Sequence, residues 1–110
     1  MTVQHPGLAA GRWQTFSLLE QLAHVGSEVE RALAWRAKQH PDYCRQAATR
    51  ALELMDLTLA STTGYPRLRE LARLREALVD DFFGANQFHS TDAAWRRYFG
   101  ACATAARRTR

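Results

Sequence analysis

Cysteine, proline, glycine and lysine are all scarce in this chain, and each scarcity excludes something. Two Cys among 110 residues cannot build a disulfide scaffold. Six Gly and three Pro are too few for a collagen-like or linker-like chain. No apolar run approaches the ~18 residues that a membrane span needs. The polar start Met1-Thr2-Val3-Gln4-His5-Pro6 is unlike a secretory signal. Together these give the expectation of a cytoplasmic, reduced protein. No stretch alternates with period two for long enough to be a strand. A Gly-rich phosphate loop, G-x-S-x-G, C-x-x-C and paired Glu-x-x-His are all missing, so no cofactor is expected.

What is present is a helical pattern. Apolar residues make up 46% and charged residues 24%, enough for one core at this length. Residues 1–12 lack periodicity and hold Pro6, Gly7 and Gly11, which predicts a mobile arm. Ser17-Leu18-Leu19-Glu20 is a capping box, in which Ser and the Glu three residues on satisfy free helical amides. Leu18, Leu22, Val25, Val29, Ala32, Leu33 and Arg36 then recur at three and four, one stripe of a helix over about 17–39. His40-Pro41 ends it and opens a second helix over 42–60, whose stripe is Cys44, Ala47, Ala48, Ala51, Met55 and Thr58. Pro66 starts a third, over 66–83, with Leu68, Leu71, Leu74, Arg75, Leu78 and Phe82. Ser90 or Thr91 caps a fourth, over 92–107, carrying Trp95, Phe99, Cys102, Ala103 and Ala106. The expected fold is all-α: an up-down-up-down four-helix bundle over 13–107, followed by a basic tail at 108–110.

Fifteen basic against eleven acidic residues give +4, and all the basic residues but Lys38 are Arg. Segment by segment the excess sits in residues 91–110, where Arg96, Arg97, Arg107, Arg108 and Arg110 face only Asp92. Alternating helix directions would gather Arg12, Arg67, Arg69, Arg107, Arg108 and Arg110 at one end. His40, Asp42, Asp80, Asp81, His89 and Asp92 would gather at the other. The basic end is a candidate surface for RNA or another polyanion. Trp13 and Tyr65 lie near it, placed either to stack on bases or to cover the end of the core.

Other candidates are local. Arg75 lies in the third stripe, and a guanidinium there needs a partner, for which Glu28 on the flank of the first stripe is the candidate. Cys44 and Cys102 fall on apolar stripes and read as core, with no His placed by sequence beside either. The Asp80–Asp92 segment collects carboxylates, an amide and an imidazole around Gly84. Asp81, Asn86, His89 and Asp92 are its candidate loop site, although no metal-ligand spacing is present. Trp35, Leu54 and Leu57 widen the apolar surface of the first two helices, which points to self-association.

Arg12-Trp13-Gln14-Thr15-Phe16-Ser17-Leu18-Leu19-Glu20-Gln21-Leu22, Gly26-Ser27-Glu28-Val29 and the Asp81-to-Asp92 segment with Trp95 and Tyr98-Phe99 resemble a group of small prokaryotic proteins of unknown function. That resemblance implies a helical bundle and no activity. The chain is also faintly similar to HEPN-type bundles, which include toxin ribonucleases. Their motif, an Arg separated from a His by four to six residues, is missing, since only three residues part Arg36 from His40 and Arg75 has no such His. The reading that follows is a non-enzymatic binding or accessory module, docking a protein partner, itself or nucleic acid. The alternatives are a HEPN-like ribonuclease or toxin–antitoxin component, and a metal- or ligand-binding bundle using the acidic end.

Overall fold

The computed structural model describes residues 11–108. Four helices run α1 Leu18–Ala37, α2 Pro41–Ser61, α3 Tyr65–Phe83 and α4 Asp92–Arg108, each within two residues of the sequence expectation. No strand occurs among the described residues. The fold is the expected all-α bundle.

Local chemistry sets each boundary. The Ser17 side chain accepts from the Glu20 amide while the Glu20 carboxylate accepts from the Ser17 amide, closing the capping box at α1. Pro41 and Pro66 sit in the first turns of α2 and α3, where a missing N–H costs nothing. Gln39 takes φ 62 and Gly64 φ 95, so the chain reverses at both connections through the left-handed region. Thr91, rather than Ser90, caps α4 by accepting from the Ala94 amide.

α1 packs against α2 on one side and α4 on the other, and α3 lies along the far side of α2. The fourth side, between α3 and α4, is spanned by side chains such as Trp95, whose ring nitrogen donates to Asp81. Val25, Val29, Leu33, Leu54, Met55, Leu71, Leu78, Trp95 and Phe99 form one continuous core. Leu54 and Leu57, expected to widen the surface, belong to this core instead, Leu54 fully and Leu57 at its edge. Cys44 and Cys102 are buried, as their stripes implied.

Two features add to the sequence reading. Residues 1–10 of the expected arm lie outside the described residues, but Arg12–Thr15 forms a short 3-10 turn. That turn drives Trp13 into the end of the core, where it is 1% exposed and donates to the Thr58 hydroxyl at 3.3 Å. Trp13 therefore closes the bundle and offers no face to a base. Gly26 is the second feature. α1 and α4 approach so closely there that a Cβ on Gly26 would lie 2.7 Å from the Cβ of Phe99.

Gly26→Ala is expected to lower stability by about 1–2 kcal/mol, because the steric cost in a packed interface exceeds the gain in helix propensity. Urea unfolding measures it, and an unchanged or raised midpoint would contradict the close approach.

Candidate functional site

The end expected to be acidic is organised around a cation. Arg36, in the last turn of α1, sends Nη1 to Asp81 Oδ1 at 2.9 Å and Nη2 to Asp92 Oδ1 at 2.8 Å. Asp81 also accepts from Trp95 Nε1 at 2.6 Å, and its side chain is only 5% exposed. The Arg36 guanidinium lies over the Phe82 ring, 4.6 Å from its centroid. Burial works against its charge, but the two carboxylates prevail and hold its pKa above the ordinary arginine value. Arg36 thus ties α1 to α3 and to α4.

The candidate loop site is consumed by structure. Asp81 and Asp92 serve Arg36, as above. Asn86 folds back on Ser90, donating to its carbonyl and accepting from its amide, both at 2.9 Å. Asp80 accepts from the amides of Gln87 and Phe88. Asn86 and His89 adopt φ 53 and 55, and His89 is exposed. Among the described residues no three His, Cys, Asp or Glu side chains converge as a metal-ligand group.

The expected Arg75–Glu28 pair does not form. Arg75 donates to Asp56 on α2, through Nε at 2.6 Å and Nη2 at 3.3 Å, in a partly exposed contact. The α3 stripe is rotated so that Leu71 and Leu78 enter the core while Arg75 lies along the α2 edge. Glu28 is buried as placed, but it accepts from Arg50 of α2 and from Arg31 of its own helix, each at 2.7 Å. Burial pushes the Cys44 thiol up, with Arg36 pulling it back and Asp81 and Asp92 adding to the rise. The Cys102 thiol is also raised by burial. His40 and Cys44 do line one small cavity, a neighbourhood the sequence did not signal, together with Arg36, Arg45 and Phe82. The His40 ring, however, packs on Trp35 and Tyr43.

The opposite end has a different economy of charge. Arg12 sits in the 3-10 turn, which Trp13 pins to the end of α2. Arg67 lies beside that turn, lining a cleft with Gln14 and Gln21. Arg69 is exposed in the opening turns of α3. α4 runs antiparallel to α1, with Asp92 beside Arg36, Arg96 beside Glu30 and Phe99 beside Gly26. Continuing that register carries Arg107 and Arg108 to the level of Leu18, at the same end. Arg110 lies outside the described residues.

Among the described residues, Arg12, Arg67, Arg69 and Arg108 form no ion pair, and Arg107 donates only to the Thr104 hydroxyl. Arg31, Arg36, Arg50, Arg75 and Arg96 are the paired ones, all away from this end. Among the described residues Arg45, near the Arg36 end, and Arg73 and Arg97, along the sides of the bundle, also form no ion pair. Tyr65 is 74% exposed beside Arg67.

Comparison with family models, curated proteins and solved structures returns no match.

Arg36→Ala is expected to destabilise the fold by about 2–3 kcal/mol, because it strands the buried Asp81 carboxylate. Arg75→Ala is expected to cost no more than about 1 kcal/mol, as its pair with Asp56 is solvent-screened. Chemical denaturation of both variants checks the contrast, and equal losses would refute it.

Proposed function

We propose that this chain is a non-catalytic binding module whose basic end holds nucleic acid through its phosphates. The observation that supports this is the distribution of unpaired guanidinium groups. Five of the eight described arginines that form no ion pair, Arg12, Arg67, Arg69, Arg107 and Arg108, gather at one end, while Arg45, Arg73 and Arg97 are scattered elsewhere; the five keep their charge for an external anion. Arg forks onto phosphate in two-point contacts, which suits this use. The exposed ring of Tyr65 beside them supplies a face on which an unpaired base stacks. Most of the groups that a ribonuclease or metal reading would employ have structural partners instead: Arg75 on Asp56, Asp81 and Asp92 on Arg36, and Asn86 on Ser90, with His89 left exposed to solvent.

Single-stranded RNA should be retained by the protein with a log–log salt slope of about −2 to −3, as three or four phosphate contacts give. The double variant Arg107→Glu, Arg108→Glu should lose about tenfold or more in affinity and flatten that slope. Filter retention across a salt series measures both, and unchanged retention in the double variant refutes the reading.

A second reading, docking of a protein or a second copy, is favoured by an apolar groove on α4. Leu19, Ala94, Arg97, Tyr98, Ala101 and Cys102 line it, and it is almost free of polar surface. Tyr98 is 43% exposed there. If this groove pairs two copies, sedimentation at micromolar concentration gives a dimer mass, and Tyr98→Arg returns it to the monomer. A monomer mass for the parent chain eliminates self-pairing.

A further inference from the structure

A cleft of about 440 Å³ opens at the basic end, between the 3-10 turn and the connection from α2 to α3. Its polar wall is formed by Gln14, Gln21, Ser61, Thr62, Thr63 and Arg67. Phe16 and Leu18 provide an apolar edge. Among the described residues no carboxylate contributes to the lining, which disfavours a cation, and Arg67 is the charged group there.

The wall is held by internal hydrogen bonds. Gln21 is 4% exposed and is spent on the scaffold: its amide nitrogen donates to the carbonyls of Trp13 and Phe16, and its oxygen accepts from Ser61. The Ser61 and Thr62 hydroxyls turn inward to the Thr58 carbonyl. Among the described residues three lining side chains have no partner, the Arg67 guanidinium, the Thr63 hydroxyl and the Gln14 amide, and each can donate. Exposed donors along one wall, with no carboxylate among the described lining residues, suit an oxyanion. The volume exceeds what a bare phosphate fills and falls within the range of small-molecule sites, about 300–1,000 Å³. The Phe16 and Leu18 edge gives the remainder of such a ligand an apolar surface.

We infer that this cleft binds the phosphomonoester of a nucleotide, with Arg67 as the charged ligand and Thr63 and Gln14 as neutral donors. The inference rests on the phosphate-binding reading of the basic end and narrows it to one site. A free mononucleotide and the 5′ end of a nucleic-acid strand present the same chemistry.

Calorimetry on the whole chain tests it with adenosine monophosphate, adenosine, and one hexaribonucleotide carrying either a 5′-phosphate or a 5′-hydroxyl. Adenosine monophosphate is expected to bind at least about tenfold more tightly than adenosine, the effect of charge-assisted bonds to the phosphate. Arg67→Ala should remove about tenfold or more of that affinity, Thr63→Val a smaller part, and Arg73→Ala, on the same helix outside the cleft, none. If the 5′-phosphorylated strand binds more tightly than the mononucleotide and than its 5′-hydroxyl form, the ligand is a strand end. If the mononucleotide binds at least as tightly, it is the free nucleotide.

Equal binding of adenosine and its monophosphate overturns the inference. So does an undiminished affinity in Arg67→Ala, an equal loss in Arg73→Ala, or no heat from either phosphorylated ligand at millimolar concentration. RNA retention that persists through Arg107→Glu, Arg108→Glu while Arg67→Ala abolishes nucleotide binding would sink the wider reading and leave the cleft standing. Retention that depends on Arg107 and Arg108 without nucleotide binding would do the reverse.

Discussion

Arg36 leaves the last turn of α1 and meets one carboxylate from α3 and another from the first turn of α4. A nearly buried aspartate such as Asp81 is tolerated only when its charge is matched and its lone pairs are occupied, and here a guanidinium and an indole N–H do both. The same contact decides where α4 begins, since Asp92 is both its first helical residue and an Arg36 ligand. The fourth side of the bundle depends on this junction more than on backbone proximity, because α3 and α4 meet there mainly through side chains.

The clasp also shapes the electrostatics of the whole molecule. By offsetting one of the two charges of Asp81 and Asp92 it weakens the acidic end, and Glu28 and Asp56 are likewise paired with Arg50 and Arg75. Five of the eight described arginines without an ion pair lie at the other end. A field of that kind attracts anions over a distance of about 10 Å at moderate salt, beyond the reach of any single contact. The two ends thus have complementary duties: one is closed by ion pairs, and the other keeps its donors.

The elements were legible because their signals are local. Ser17 with Glu20, Pro41, Pro66 and Thr91 act within one turn, and the stripes of α1 and α2 recur over several turns. The partners of charged residues were not legible, because they are set by helix rotation and axial register. Arg75 falls on the stripe by spacing, yet a modest rotation of α3 carries it onto Asp56, while Glu28 finds Arg50, which no spacing rule connects to it. The sequence leaves Trp13 between two roles, base stacking and cover for the core, for a different reason. A four-residue 3-10 turn is shorter than any hydrophobic period, so a tryptophan in it carries no signal of which way it faces. At the basic end, the identity of the arginines was readable, but not which of them would lack a carboxylate.

The Trp13 plug has a bearing on how the domain is delimited. Its indole is bonded to Thr58 and its carbonyl to Gln21, so part of the floor of the core comes from residues that precede the first long helix. A minimal version trimmed at the capping box would keep all four helices and their caps. It would nevertheless leave Thr58 and His24 beside a hole the size of a tryptophan, with the Gln21 amide stripped of its acceptors. The autonomous unit therefore includes the 3-10 turn, ahead of any boundary that helix periodicity alone would draw.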